Sequence, residues 1–122
     1  MTTTYRRINA AAEAMKPLMS VRGLSGRTQI MLMRLWNDIS VHIKTLQEAD
    51  LALARSHGKV KEDGTIDFKD EASAADFLAE REKMFSAEAD LNPILIQAED
   101  ALFFATTPET WASLDGFILI QD

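Results

Sequence analysis

Between Ser25 and Gly58 the chain reads SGRTQIMLMRLWNDISVHIKTLQEADLALARSHG, and its apolar residues recur with helical spacing. Leu32, Trp36, Ile39, Ile43, Leu46 and Leu53 follow at four- and three-residue steps, interrupted once at Asp50, so they share one face of a helix. Ser25 can cap its start, and Gly58 can supply the left-handed residue that ends it. Such a helix spans roughly 45 Å, too long for its own domain unless other elements lie along it. It is read as a scaffold.

On either side the pattern changes. From Tyr5 to Lys16, YRRINAAAEAMK places Ile8, Ala11, Ala12 and Met15 on one face, which predicts a short helix broken or kinked at Pro17. Gly23, Ser25 and Gly26 mark the turn into the scaffold helix, and Leu18, Met19, Val21 and Leu24 are expected to be buried. Residues 1–24 form an arm that folds back along the scaffold helix or reaches a neighbouring subunit; the pattern admits both.

After Gly58, Val60, Ile66 and Phe68 flank Glu62-Asp63-Gly64. A three-residue loop with Gly64 in the left-handed position sets Val60 opposite Ile66, a β-hairpin tip at 59–69 that must rest on the flanking helix ends. The second long helix opens between Asp70 and Ser73, with Ser73 and Asp76 as a capping box. It runs through Phe77, Leu78, Met84 and Phe85 to about Asp90, antiparallel to the first. Asn92-Pro93 stops it, and Ile94, Leu95 and Ile96 suit a strand. Residues 98–105 read as turn or short helix. Thr107, Pro108 and Glu109 then open a helix carrying Trp111, Leu114, Phe117 and Ile118; Gly116 weakens it, so an extended FILI is the competing reading. The fold class that follows is α+β, mainly α. It is a single domain, 1–122, with an N-terminal helical arm (1–24), a long antiparallel helical hairpin (25–91) and a small strand-helix appendage (92–122).

Composition narrows this picture. A chain of 122 residues, 47% hydrophobic and 26% charged, can bury a core without a disulfide or metal. With no Cys, thiolate metal sites and cysteine nucleophiles are excluded. MTTTYRRIN lacks the apolar run of a signal peptide, and no stretch approaches the roughly 18 apolar residues of a membrane span, so a cytoplasmic location and no membrane partner are expected. The net charge of −6 speaks against nucleic acid. It is unevenly spread: Arg6, Arg7, Lys16, Arg22, Arg27 and Arg34 face Glu13 alone in residues 1–34, while the rest holds 7 basic and 18 acidic residues. Either subunits or segments complement one another, or the basic head docks a phosphate-bearing ligand or an acidic partner.

Few residues carry candidate chemistry. On one helix His42 and His57 stand roughly 22 Å apart, too far to share a metal within a chain. Lys59 and Lys61 occupy positions where a calcium loop needs oxygen ligands. Asp76 and Glu80 lie one helical turn apart and Glu48 and Asp50 diverge, so the inward carboxylate sets of a helical nucleotide hydrolase are missing. No cofactor is expected. VRGLSGR can present Arg22, Ser25, Gly26, Arg27 and Thr28 to an anion at the scaffold helix's start, with Arg34 two turns further along; a plain turn and cap is the competing reading. Met31, Met33, Trp36 and Trp111 supply an apolar surplus that core packing or an oligomeric interface would use.

Three segments together resemble a widespread group of small phage and prophage proteins of similar length. In that group a helix runs into a glycine, an acidic pair and a second glycine, followed by a helix, a short β segment and a final Ser/Thr-Pro helix ending in FI. The matching residues are Ser56-His57-Gly58, Glu62-Asp63-Gly64-Thr65-Ile66, Thr107-Pro108-Glu109, Leu114 and Phe117-Ile118, within residues 24–122. The resemblance implies a phage origin and carries over no catalytic or ligand residues. The function expected is a non-enzymatic interaction protein that self-associates and binds or sequesters a host component, such as a defence factor, in the host cytoplasm. A virion or assembly protein and a small nucleotide-binding or nucleotide-hydrolysing enzyme are the alternatives.

Overall fold

The computed structural model describes residues 1–104 and 107–121. Two elements, β1 (Thr2–Thr4) and α1 (Tyr5–Leu18), precede the scaffold helix α2 (Gly26–His57), which has 32 residues and is about 48 Å long. After it come β2 (Gly58–Val60), β3 (Ile66–Phe68), α3 (Glu71–Ser86), β4 (Glu88–Asp90), β5 (Ile94–Gln97), α4 (Ala98–Ala101), α5 (Pro108–Ser113) and β6 (Ile118–Gln121). The fold is α+β and mainly α: α2 and α3 form the antiparallel hairpin, β2 and β3 its tip, and α1 packs within the chain against both helices.

The core sits around the first half of α2. Ile8, Met15 and Leu18 of α1 cluster with Leu32, Leu35 and Ile39 of α2, and Ile94, Ile96, Leu114 and Phe117 complete the group. Each large apolar side chain taken wholly from water contributes about 1.5–3 kcal/mol. The second half of α2 buries only Leu46 and Ala54, and α3 only Phe77. Phe77 packs its ring against Phe68 (centroids 5.5 Å apart) and His57 (6.2 Å), which seats the hairpin tip on the helix ends.

Three two-stranded pairs finish the fold. Strands β1 and β4 are antiparallel with Thr2 beside Asp90, and the Met1 backbone nitrogen donates to the Leu91 carbonyl at 2.9 Å. In the tip, Val60 stands opposite Ile66 across the expected three-residue loop, with Gly64 at φ +87°. Strands β5 and β6 are parallel, and a parallel pair requires a crossover, which α4 and α5 provide.

Several expectations are corrected. The second helix stops at Ser86, because Ala87 turns extended and the backbone of Glu88–Asp90 pairs with β1 instead of continuing a helix. Its cap is Asp70, whose carboxylate accepts from Ser73 N–H at 2.8 Å, so Ser73 and Asp76 do not form the cap. Gly58 is extended (φ −171°) and opens β2; glycine is needed there because a Cβ would lie 2.7 Å from the Asp67 carbonyl oxygen. Helix α1 runs past Pro17 to Leu18, since the lost N–H falls in the last turn and Met19 N–H still reaches the Met15 carbonyl at 3.1 Å. Met19, expected inside, is 36% exposed. Of the two readings of the tail, the extended one forms: α5 ends at Ser113 and β6 begins at Ile118. The segment 98–105 begins as the short helix α4, with Ala105 outside the described residues.

Candidate functional site

The turn between α1 and α2 has the local chemistry of an anion site, and a carboxylate stands there. Ser25 caps α2, its hydroxyl accepting from Thr28 N–H at 3.3 Å and donating to Asp100 Oδ2 at 2.8 Å. Thr28 Oγ1 also donates to Asp100 Oδ2, and Ser25 N–H reaches Oδ1 at 3.3 Å. These hydrogen bonds, from Thr28 first and then Ser25, hold the Asp100 carboxyl below its ordinary value of 3.8, although burial works the other way. The two hydroxyls and the Ser25 N–H expected to meet an external anion are therefore committed to Asp100 of the chain's own α4, and the Thr28 N–H to the Ser25 cap.

Asp100 was the residue that pattern reasoning missed. One signal was available: a single charged residue pair, Glu99-Asp100, interrupts an otherwise uncharged and mostly apolar stretch from Ile94 to Phe104, and only Asp100 of the two is buried. A carboxylate in such a setting needs donors, and Ser25 and Thr28 are an unspent pair.

Beside this clasp lies a concavity of about 430 Å³. Leu18, Leu24 and Leu32, all buried, line it together with Met19, Arg22 and Met33, which reach solvent. Gly23 lies in its wall at φ +88°, with Phe103 packed so close that a Cβ would stand 3.4 Å from the ring. Phe103 is nevertheless 52% exposed, and Ile30 and Met33 are 59% and 58% exposed. Ile30 lies between Arg27 and Arg34 on one stripe of α2. Arg22, Arg27 and Arg34 are exposed and form no ion pair among the described residues; Arg34 only brings Nη1 within 4.0 Å of the Met31 sulfur.

The structure thus separates the residues singled out by sequence. Arg22 and Met33 line the concavity and face solvent, Arg27 and Arg34 are exposed on the neighbouring Ile30 stripe of α2, and Gly26 is the first residue of α2 with open space beside it. Met31, Trp36 and Trp111 are half-buried against the core, with Trp111 packed on Phe104 at 5.9 Å between centroids. The broad apolar surface near the start of α2 is mostly core; Ile30 and Met33 are what remains outside.

Elsewhere several of the polar groups singled out by sequence are spent locally. His42 Nε2 lies 3.0 Å from the Asp90 carbonyl oxygen, and His57 Nδ1 lies 3.0 Å from that of Leu53. Asp76 and Glu80 are exposed on α3, where Glu80 pairs with Lys83 at 3.2 Å. Asp50 meets Arg81 at 2.9 Å. Among the described residues no three His, Asp or Glu side chains are grouped to hold a metal ion, and no helix is long and apolar enough to cross a membrane. No protein-family model, no curated protein and no solved structure matches this chain.

Proposed function

We propose that this chain is a non-enzymatic interaction protein, phage-encoded, that binds an acidic segment of a host or phage protein at the corner between α1 and α2 and acts in the host cytoplasm by sequestering it. The observation that carries the reading is the combination near that corner of exposed apolar anchors, Ile30, Met33 and Phe103, with three exposed arginines, Arg22, Arg27 and Arg34, that have no carboxylate partner among the described residues. An aliphatic and aromatic centre with an arginine rim is the composition of a recognition surface. Unpaired guanidinium groups steer and orient an acidic partner, and two-point pairing with carboxylate suits Arg. The phage origin rests on the resemblance of the 56–66 and 107–118 segments described above.

The test is site-specific photo-crosslinking in infected cells. A crosslinking amino acid at Met33 is expected to capture one defined protein, and Arg22→Glu with Arg34→Glu should abolish the capture. The same group at Leu78, exposed on α3 well along the chain, should not capture it. Equal capture from both positions, or none from Met33, overturns the reading. Capture of a capsid or tail protein would instead support the virion or assembly alternative.

A further inference from the structure

Strands β5 and β6 carry the same four residues, Ile94-Leu95-Ile96-Gln97 and Ile118-Leu119-Ile120-Gln121. They pair parallel and in register, so that each residue stands beside its twin, and Gln97 donates its side-chain amide to Gln121 Oε1 at 3.3 Å. Ile94, Ile96 and Ile118 are buried, whereas Leu95, Leu119 and Ile120 are 41%, 48% and 48% exposed. Parallel sheets are ordinarily covered on both faces, and two strands alone rarely make a stable sheet. Among the described residues this pair has a half-exposed face, Leu95 with Leu119, and an outer edge to which no strand is paired.

That edge is identified by the ladder itself. Ile94 N–H donates to the Phe117 carbonyl at 2.9 Å, which in a parallel pair aims the backbone of Leu119 and Gln121 at β5 and that of Ile118 and Ile120 away from it. Ile118 N–H turns back to the Leu114 carbonyl at 3.2 Å. The N–H and C=O of Ile120 have no hydrogen bond among the described residues. Charged side chains, prolines and bulges are the usual means of blunting an edge, and β6 has none of them.

We propose that β6 pairs with β6 of a second copy of this chain, antiparallel about a twofold axis at Ile120, to make a four-stranded sheet in the order β5-β6-β6-β5. The two Ile120 residues exchange N–H···O=C hydrogen bonds, and their half-exposed side chains cover each other. On the opposite face, Leu95 and Leu119 of both copies form one apolar row. A second copy is the occupant because this strand already accepts its own sequence along its inner edge, and because the strip is uncharged, so chains of net charge −6 meet there without opposed like charges. The antiparallel arrangement is self-complementary and closes at two, whereas a third parallel strand of this sequence would leave a free edge and propagate. This surface shares no residue with the α1–α2 corner, so the two proposals stand or fall separately.

Sedimentation velocity of the full chain over a micromolar concentration series tests the pairing. The expected species is twice 13.6 kDa, dissociating on dilution. Ile120→Pro removes the outward N–H, which β5 does not use, together with the half-exposed isoleucine side chain, and should give a monomer whose circular dichroism matches the parent. Should the proline unfold the chain, Ile120→Lys decides, because it sets two like charges on the twofold axis and should weaken dimerisation at least tenfold. Met33→Glu, at the corner, should leave the dimer intact. A monomer at every concentration, a dimer that survives Ile120→Lys, an open-ended polymer, or a dimer broken by Met33→Glu overturns the proposal.

Discussion

The two halves of α2 belong to one continuous helix and meet different surroundings. From Thr28 to Ile39 four residues are buried, Thr28, Leu32, Leu35 and Ile39, and α1, β5 and the Leu114–Phe117 turn contribute to the same core. From Ile43 to His57 the buried set shrinks to Leu46 and Ala54, covered by α3 and the hairpin tip. A helix touched on several sides has nowhere to relax when a side chain is removed; one touched along a single seam can settle. Stability should therefore be concentrated in the head of the molecule, while the stalk opens locally at lower cost.

A pair of truncations gives the largest test of that contrast. Leu35→Ala, at a fully buried position, should cost about 3–5 kcal/mol in denaturant unfolding, and Leu46→Ala closer to about 2 kcal/mol because solvent and α3 can fill the gap. Hydrogen exchange should show the amides of residues 43–57 exchanging through local opening before those of 28–39. Equal costs, or one common exchange rate, would break the comparison.

A second test concerns the clasp at the head. Because the Asp100 carboxyl is held below its ordinary 3.8, its contribution is fully present above the unfolded value and is lost as pH falls through the lower folded value. Asp100→Asn should lower Tm at neutral pH and flatten its fall in acid below the ordinary carboxylate range. A parallel pair of Tm curves for the parent and the variant would show that the carboxylate is not what fastens α4 to α2.

The smallest effect lies in the stalk. Asp50 and Arg81 are both partly exposed, and Arg81 also stacks its guanidinium 4.9 Å from the Phe85 ring centre. A double-mutant cycle between Asp50→Ala and Arg81→Ala should return about 0.2–1 kcal/mol, diminished by salt. A coupling well above that range would mean that the stalk is held by charge and not by its narrow seam.

Legibility in the sequence followed the same division. In the stalk, the seam, the Asp63-Gly64 turn and the pairing of Val60 with Ile66 could be read, because they depend on local spacing, whereas the extended Gly58, the Asp70 cap and the stop at Ser86 could not. In the head, Leu35 is missing from the predicted set although it stands three residues after Leu32 and four before Ile39 on the same face, and it is fully buried there with α1 and the C-terminal elements in the same core. Thr2–Thr4 gave no strand signal beyond three β-branched residues, since its partner Glu88–Asp90 is remote and was itself read as helix. For the candidate site, the arginines were visible as a local charge excess, and Ser25 as a cap. Nothing in the spacing tied residue 100 to residues 25 and 28, and the repeated Ile-Leu-Ile-Gln acquires meaning only once the crossover lays one copy beside the other.

The wide separation of the head's components in the chain also sets an order in time. Its sheet strand β6 lies at residues 118–121 and its strand β1 at residues 2–4, so the core cannot close until nearly all of the described chain has left the ribosome. The stalk needs only residues 43–86, joined by a tight hairpin, and low contact order favours fast formation. During synthesis the less stable end should thus assemble first, holding α2 as a rod against which the more stable end later condenses.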